Sequence, residues 1–354
     1  MKILAINPGS TSTKIAFFED EKELWSETQR YDADVLGKYE HVTDQETFRY
    51  EEILKSLEAR GVTNDQIDAF VARGGLLRPI EGGTYEISGA MVEELRARKW
   101  GEHASNLAAP IAMRLSGKRG QPAFIVDPVV VDELTDVARV SGLPELPRKS
   151  IFHALNQKAV ARRAAAKRGG KPEDYNFIVC HMGGGVSVAA HKKGRVVEVN
   201  DALGGEGPMS PERAGTVPGA QLADLCFSGR REHTEVKKML IGRGGFVAHL
   251  GTTDFREIMG RVAAGDKKAT LVFDAFCYQL RKAIGGVAAV LEGHVDSILL
   301  TGGLAYNDTL CETVTRSVSW IAPVEIFPGE DEMQALAEGA LRVLRREENA
   351  KAYA

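Results

Sequence analysis

Short runs of wholly apolar residues recur along the chain: Ile3-Leu4-Ala5-Ile6, Ala69-Phe70-Val71-Ala72, Ala123-Phe124-Ile125-Val126, Phe177-Ile178-Val179-Cys180, and Ser297-Ile298-Leu299-Leu300 with its single leading serine. Runs of this length, bounded by turn residues, predict strands covered on both faces. Between them lie segments with helical periodicity, from Thr47 to Arg60, Ser105 to Leu115, Leu155 to Lys167 and Glu332 to Arg345. A longer one runs from Lys268 to Leu291 and places Phe273, Phe276, Leu280, Ile284 and Val287 at helical spacing. Strands alternating with helices in each half of the chain give an α/β class.

One pattern occurs twice, offset by about 174 residues. The first copy is the strand Ile3–Ile6, the turn Asn7-Pro8-Gly9-Ser10, and a second strand through Lys14-Ile15-Ala16-Phe17-Phe18. The second copy is Phe177–Cys180, the turn His181-Met182-Gly183-Gly184-Gly185, the strand Val186–Ala190, a Lys192-Lys193-Gly194 turn, and Arg195–Val199. Each reads strand, glycine turn, strand, charged turn, strand. On the pattern alone, two unrelated hairpins in any α/β protein would look similar.

Composition changes the picture mainly by exclusion. With 354 residues, 44% of them hydrophobic, the chain allows two domains and a sizeable core. A net charge of −4, with the two signs mixed, gives no nucleic-acid or membrane footprint. The cysteines Cys180, Cys226, Cys277 and Cys311 are widely spaced, without a CxxC pair, which argues against a disulfide framework or a zinc site. Cys180 reads as a small core residue. The first apolar run is too short for a signal peptide, and no segment reaches the ~18 apolar residues of a membrane span. The expectation is a soluble, cytoplasmic protein.

The turn Asn7-Pro8-Gly9-Ser10-Thr11-Ser12-Thr13-Lys14 gathers backbone N–H groups and hydroxyls at a strand end. Glycine permits positive φ and close approach, which suits a phosphate, and alternation puts Ser10, Ser12 and Lys14 on one face. An ordinary hairpin with a hydroxyl-rich edge reads the same way. No GxxxxGK[ST] occurs, and neither Gly183-Gly184-Gly185 nor Gly302-Gly303 fits a dinucleotide fingerprint. Gly74-Gly75, with Arg73 beside it, is a further glycine turn. Such turns from both halves suggest a cleft wrapping a polyphosphate. Asp127, directly after its strand, is placed to hold Mg2+ or to cap a turn. His153 and His181 follow apolar stretches and read as structural residues or as donors to a phosphoryl group. Arg213 stands in the long loop from Gly205 to Pro218, where a guanidinium either neutralises a phosphoryl in flight or lies on the surface.

Taken in order, these segments resemble the acetate kinase family, in its butyrate kinase branch, within the actin-like ATPase and sugar-kinase superfamily. The resemblance covers essentially the whole chain. It is carried by Asn7–Lys14, Ala72-Arg73-Gly74-Gly75-Leu76-Leu77-Arg78-Pro79, Val126–Glu133, Phe152-His153-Ala154-Leu155-Asn156-Gln157-Lys158, the His181 glycine turn, Gly205-Glu206-Gly207-Pro208 through Arg213, Leu300–Asn307, and Pro328–Ala337.

The resemblance implies two duplicated, ribonuclease H-like domains, each built βββαβαβα, with ATP bound in an interdomain active-site cleft. One would span 1–126 plus about 340–354, the other 127–339, with the last helix crossing back to the N-terminal domain. It implies transfer of the ATP γ-phosphoryl, with Mg2+, to butyrate or a similar short or branched carboxylate. Asn7, Ser10, Ser12 and Lys14 would sit by the transferring phosphate and its metal, and Asp127 would be the central carboxylate. His153, His181 and Arg213 would stabilise the phosphoryl group beside Gly183, Gly184 and Gly185. Gly302, Gly303 and Asn307 would lie along the adenosine pocket. Glu332 would help hold the metal through water, with Asp331 as its substitute if the alignment slips by one.

Two departures from acetate kinases stand out: Gly184 replaces an asparagine, and the substrate-side arginine and histidine positions fall near Phe70 and Arg73. Arg73 would supply the missing cation. Both departures, and the shorter chain, favour butyrate over acetate or propionate. A hydroxyl-phosphorylating kinase with Asp127 as base, and a non-catalytic actin-like ATPase module, remain alternatives. Homo-oligomerisation is expected from the resemblance alone.

Overall fold

The computed structural model describes residues 1–117 and 120–353. Lys118, Arg119 and Ala354, which fall within the expected N-terminal domain, lie outside the described residues. The chain forms two units, one of Met1–Val131 with Asp331–Ala354, the other of Asp132–Glu330. The expected domains divided instead at 126/127 and near 340. A bridge from Val131 to Ile80 ties the chain through Asp127 to the first unit, and the whole helix Glu332–Leu344 packs there too.

The first unit holds the strands β1 (Lys2–Pro8), β2 (Ser12–Glu19), β3 (Lys22–Arg30), β4 (Ala69–Ala72), β5 (Thr84–Glu86) and β6 (Ala123–Val126). The second holds β7 (Asn176–Met182), β8 (Val186–Lys192), β9 (Arg195–Val199), β10 (Ser297–Gly302) and β11 (Val324–Pro328). Their sheet orders are β3-β2-β1-β4-β6-β5 and β11-β10-β7-β8-β9. Read from the β9 edge, the second sheet repeats the first, which carries β5 as an extra antiparallel edge. In both, the first strand pairs antiparallel with the second and parallel with the fourth. The echoed hairpins thus belong to two copies of one mixed α/β topology.

The apolar runs lie where the sheets are covered twice. Ile3, Leu4, Ala5 and Ile6 are fully buried, as are Ala69–Ala72. The helices Ala108–Ser116 and Glu332–Leu344 both pack on β1, β4 and β6. In the second unit, Phe273, Phe276, Leu280, Ile284 and Val287 of the helix Lys267–Val290 pack with Phe246 and Phe255 into one core with β7, β8 and β10. A separate cluster joins Val160, Ala161, Ala164 and Ala165 of the helix Ala154–Lys167 to Phe177, Val179 and Leu299. Burial pushes the Cys180 thiol pKa upward, which marks it as a core side chain. Among the described residues, no helix is long and apolar enough to cross a membrane.

The segment expected as one helix from Ser105 to Leu115 begins as a 3-10 turn, Ala104–Leu107, before the α-helix. Asn106 explains the tighter start: its side chain accepts from the Leu76 N–H and donates to the Gly101 carbonyl, anchoring the first turn to its neighbours.

One buried ion pair fixes the helix Ala154–Lys167 to the β8–β9 hairpin. Lys158 Nζ lies 2.9 and 3.0 Å from the Glu133 carboxylate oxygens and donates to the Gly194 carbonyl, while Val196 N–H donates to Glu133. Removing Lys158 takes the ammonium away from a buried carboxylate. Lys158→Ala is therefore expected to lower unfolding free energy by about 3–5 kcal/mol. Urea denaturation measures it, and a loss of under ~1 kcal/mol would mean the site is hydrated.

Candidate functional site

In the first unit, parallel strands bring three candidates to one sheet edge. Ile6 of β1 is in register with Ala72 of β4, which is in register with Ile125 of β6. Asn7, Arg73 and Asp127 therefore lie at the carboxyl ends of adjacent parallel strands, where open α/β sheets place ligands. Glu332, in the first helical turn after Asp331, reaches the same edge. Its carboxylate accepts from Asn7 Nδ2 at 2.7 Å and pairs with Arg73 Nη1 at 2.8 Å. Asp331 itself takes a left-handed conformation, φ 37°, as the residue before the helix.

Asp127 is buried, with φ 38°. Its Oδ1 accepts from the Gly83 N–H at 2.7 Å, and its own N–H donates to the Gly83 carbonyl. A buried, non-glycine left-handed residue stores strain of about 1–3 kcal/mol, which marks a constrained position. Phe70, by contrast, is a core residue in the middle of β4.

The Asn7–Lys14 turn closes through a Gly9 N–H to Ser12 carbonyl bond of 2.7 Å. Thr13 is buried between Ser12 and Lys14, which lie toward solvent, as alternation requires; Ser10 and Thr11 form the exposed tip. Gly9 does not use a positive φ, contrary to expectation, and an added Cβ would meet Ser12 at an ordinary 3.5 Å.

The second unit gathers His153, His181, Arg213 and the glycine turn. His181, near the end of β7, is almost wholly buried. His153 immediately precedes the helix Ala154–Lys167, and the two imidazoles stack with centroids 3.7 Å apart and planes 9° from parallel.

Their hydrogen bonds fix the tautomer of His181. Asn156 Nδ2 donates to the carbonyls of Glu330 and Gly329, so its Oδ1 faces His181 Nδ1 at 2.8 Å and that nitrogen carries the proton. Neutral His181 then presents a lone pair at Nε2, a buried atom with no hydrogen-bond partner, 3.4 Å from a Glu330 carboxylate oxygen. It donates from Nε2 only as the imidazolium. Gln157 Nε2 donates to Ser187 O and Oγ while its Oε1 accepts from His191. The Ser187 hydroxyl lies 2.9 Å from His153 Nδ1; where it donates to that nitrogen, neutral His153 carries its proton on Nε2.

Arg213 converges on the same turn. An ideal Cβ on Gly185 would overlap Arg213 Nη1 and stand 2.9 Å from its Cζ and 3.3 Å from His153 Cε1. Arg213 Nη1 donates to the Ala202 carbonyl at 2.7 Å, while its Nε is buried without a partner. Burial lowers the guanidinium pKa below its ordinary value, opposed by Glu212 and Asp201. Ser210 Oγ locks the loop, accepting from Arg213 N–H and donating to the Gly184 carbonyl. On Gly183, a Cβ would stand 3.0 Å from His181 Nε2. Gly184 is roomier: its Cβ would meet Glu212 at 3.6 Å.

Gly302 ends β10 at φ 90°, where a Cβ would collide with the Met182 backbone, so the strand passes directly behind the His181 turn. Gly303 has open space around it. Asn307 caps the helix Asp308–Val318 by accepting from the Leu310 N–H at 2.9 Å. Direct contacts thus join Asn7, Arg73 and Glu332, and separately join His153, His181, Arg213 and the glycine turn. Gly303 and Asn307 touch neither set directly.

Sequence reasoning missed Asn156, Gln157 and Ser187, which fix the histidines. Asn156 and Gln157 lie in a segment that carries the family resemblance, but polar residues are ordinary in the first turns of a helix, so neither was given a role.

Hard oxygen ligands at the first sheet edge suit a magnesium ion. Among the described residues, no cluster of three His, Cys, Asp or Glu side chains forms a protein cage. Asp127 and Glu332 fit the Mg2+ mode of one or two carboxylates completed by substrate phosphates and water.

The fold has close relatives of known structure. Porphyromonas gingivalis acetate kinase superposes with a TM-score of 0.78 at 21% identity, over 97% of this chain and 99% of that one. Entamoeba histolytica acetate kinase gives 0.76 at 16% identity, over 96% and 99%. A propionate kinase from Francisella tularensis gives 0.73 at 17%, over 95% and 98%. At these identities the likeness establishes the fold. Residues 145–326, just over half of the sequence, match the profile of the Acetokinase family, and the chain belongs to that family.

Proposed function

We propose that the protein is an ATP-dependent carboxylate kinase, moving the γ-phosphoryl of ATP reversibly to a short aliphatic acid to give an acyl phosphate and ADP. The observation that carries this reading is the convergence of Arg213 and His153 on Gly185 in a chain of this family. A carboxylate is ionised at neutral pH, so the acceptor needs no general base. Its oxygen bonds to phosphorus as the bond to the β-phosphate oxygen breaks, and charge on the equatorial oxygens must be met by fixed donors. Arg213 is such a donor, and His153 with its proton on Nε2 and protonated His181 would be two more.

In this reading Asn7, Ser10, Ser12 and Lys14 serve the terminal phosphates in the first unit, and in the second Gly183–Gly185 serve as a phosphate turn while Gly302, Gly303 and Asn307 border the adenosine. Mg2+, when bound, neutralises phosphate charge, with Asp127 and Glu332 as its nearby carboxylates. Arg73 receives the acid's carboxylate and must then share itself between that anion and Glu332. A cytoplasmic homo-oligomer is part of the same proposal.

For the acid, we propose butyrate or a similar short or branched chain, on the grounds of Arg73 and Gly184. Acetate or propionate is the second reading, favoured by the acetate and propionate kinases that share the fold. Steady-state kinetics over acetate, propionate, butyrate, isobutyrate and valerate decide between them. The proposal expects kcat/KM to peak at four carbons; since one methylene contributes only ~1–3 kcal/mol, the peak should exceed its neighbours by about 10-fold or more. A maximum at acetate or propionate selects the second reading, and turnover with glycerol alone overturns both.

Gly185→Ala should separate folding from chemistry. The added methyl displaces the flexible end of Arg213, a small cost to stability but a misplacement of a catalytic group. A fall of about 10^2-fold in kcat is expected with a nearly unchanged thermal midpoint. Kinetics and a thermal melt on one preparation check it; an unchanged kcat would detach the guanidinium's position from the reaction.

A further inference from the structure

Beneath the Asn7–Lys14 turn lies a fully buried arginine, Arg49, from the helix Glu46–Ala59. All five of its N–H donors are used. Nη1 donates to the carbonyls of Gly9 at 2.7 Å and Ser12 at 2.8 Å, and Nη2 to that of Ser10 at 3.1 Å. Nε and Nη2 also donate to Gln45 Oε1, and the guanidinium lies 5.0 Å from the centroid of the Tyr31 ring. Among the described residues, no carboxylate pairs with it. The acids on the adjoining elements are engaged elsewhere, Glu52 with Lys55 and Glu27 with Arg60.

Two consequences follow. A peptide plane carries its C=O and the next N–H on opposite sides. Drawing the Gly9 and Ser10 carbonyls onto Arg49 therefore turns the N–H groups of Ser10 and Thr11 away from it. Both are exposed at the tip, and among the described residues neither has an acceptor. Successive free N–H groups in a turn form an anion receptor. Secondly, a buried cation without a counter-charge is costly, and an anion at the tip offsets that cost.

We propose that Arg49 is the positioning residue that makes this turn a phosphate receptor, orienting the Ser10 and Thr11 amides and supplying the uncompensated charge behind them. The ligand class is the terminal phosphates of a nucleoside polyphosphate, with inorganic pyrophosphate as the minimal probe. The proposal rests on the phosphate reading of the turn given above.

The test uses the full chain. Calorimetry measures pyrophosphate and adenosine binding to the wild type, Arg49→Lys and Arg49→Gln, with circular dichroism reporting folding. Arg49→Gln should weaken pyrophosphate about 30-fold or more, and Arg49→Lys, with three donors in place of five, about 10-fold. Adenosine affinity should stay within about 2-fold in both. A folded variant binding pyrophosphate like the wild type overturns the proposal, as does equal weakening of both ligands, which a merely structural role would give. Hydrogen exchange on the wild type decides even if both variants fail to fold: pyrophosphate should protect the Ser10 and Thr11 amides. Binding that leaves them unprotected, or no pyrophosphate binding at all, overturns the phosphate reading of the turn and the proposal with it. Protected amides with unaffected variants overturn the role of Arg49 alone.

Discussion

Replacing Arg213 by alanine is expected to lower kcat by about 10^3-fold or more while KM for ATP and acid changes little. The guanidinium is held at the glycine turn by its bond to the Ala202 carbonyl, and Ser210 fixes the backbone on either side of the loop. Its Nε is a buried donor with no protein acceptor, so one N–H is desolvated in advance of any incoming oxygen. Donors of this kind act where charge develops in the transition state and contribute little to ground-state binding. Arg213→Lys should not restore activity, because an ammonium cannot both hold Ala202 and present a second, fixed donor. The protein should stay folded, since the substitution removes an unsatisfied polar group along with one hydrogen bond. Steady-state kinetics check this, and a defect confined to KM would reassign Arg213 to simple binding.

Asp127→Asn is the second large effect. Asparagine tolerates the left-handed backbone and keeps an oxygen for the Gly83 N–H, so the substitution isolates the charge. If the carboxylate lies beside the metal-bound phosphates, kcat should fall about 10^2-fold or more and half-saturation by Mg2+ should move to higher concentration. Stability should hold or rise, because a buried charge is lost. Activity within about 3-fold of wild type would leave Asp127 as a turn residue only.

Much of the fold was legible because the central strands are covered on both faces. Ala69–Ala72 and Ala123–Val126 are observed with the bounds their apolar runs predicted. The long helix could be read from Phe273, Phe276, Leu280, Ile284 and Val287, since a single stripe faces the core. The edge strands β5 and β11 were not singled out. β5 is only three residues long, and β11 is half-exposed, with glutamate and proline breaking its pattern.

At the site, strand-end residues were legible because glycine turns and isolated charges stand out against apolar runs. Their supporting residues were not. Arg49 reaches a turn 40 residues earlier in the chain, and Ser187 meets Gln157 across 30 residues. Polar residues on helices and strands look alike in a sequence whether they face water or hold a neighbour. Gly9 misled in the other direction: its backbone has no need of glycine, and the turn's shape is held instead by its carbonyls' bonds to Arg49.

Trapping the product with hydroxylamine tests the central claim most directly. Acyl phosphates react with it to give hydroxamates, whereas phosphate esters of alcohols and free phosphate do not. With ATP, Mg2+ and butyrate, hydroxamate should form in step with ADP, and Arg213→Ala should abolish both together. ADP appearing without hydroxamate from any short-chain acid, or only when glycerol is supplied, would contradict phosphoryl transfer to a carboxylate.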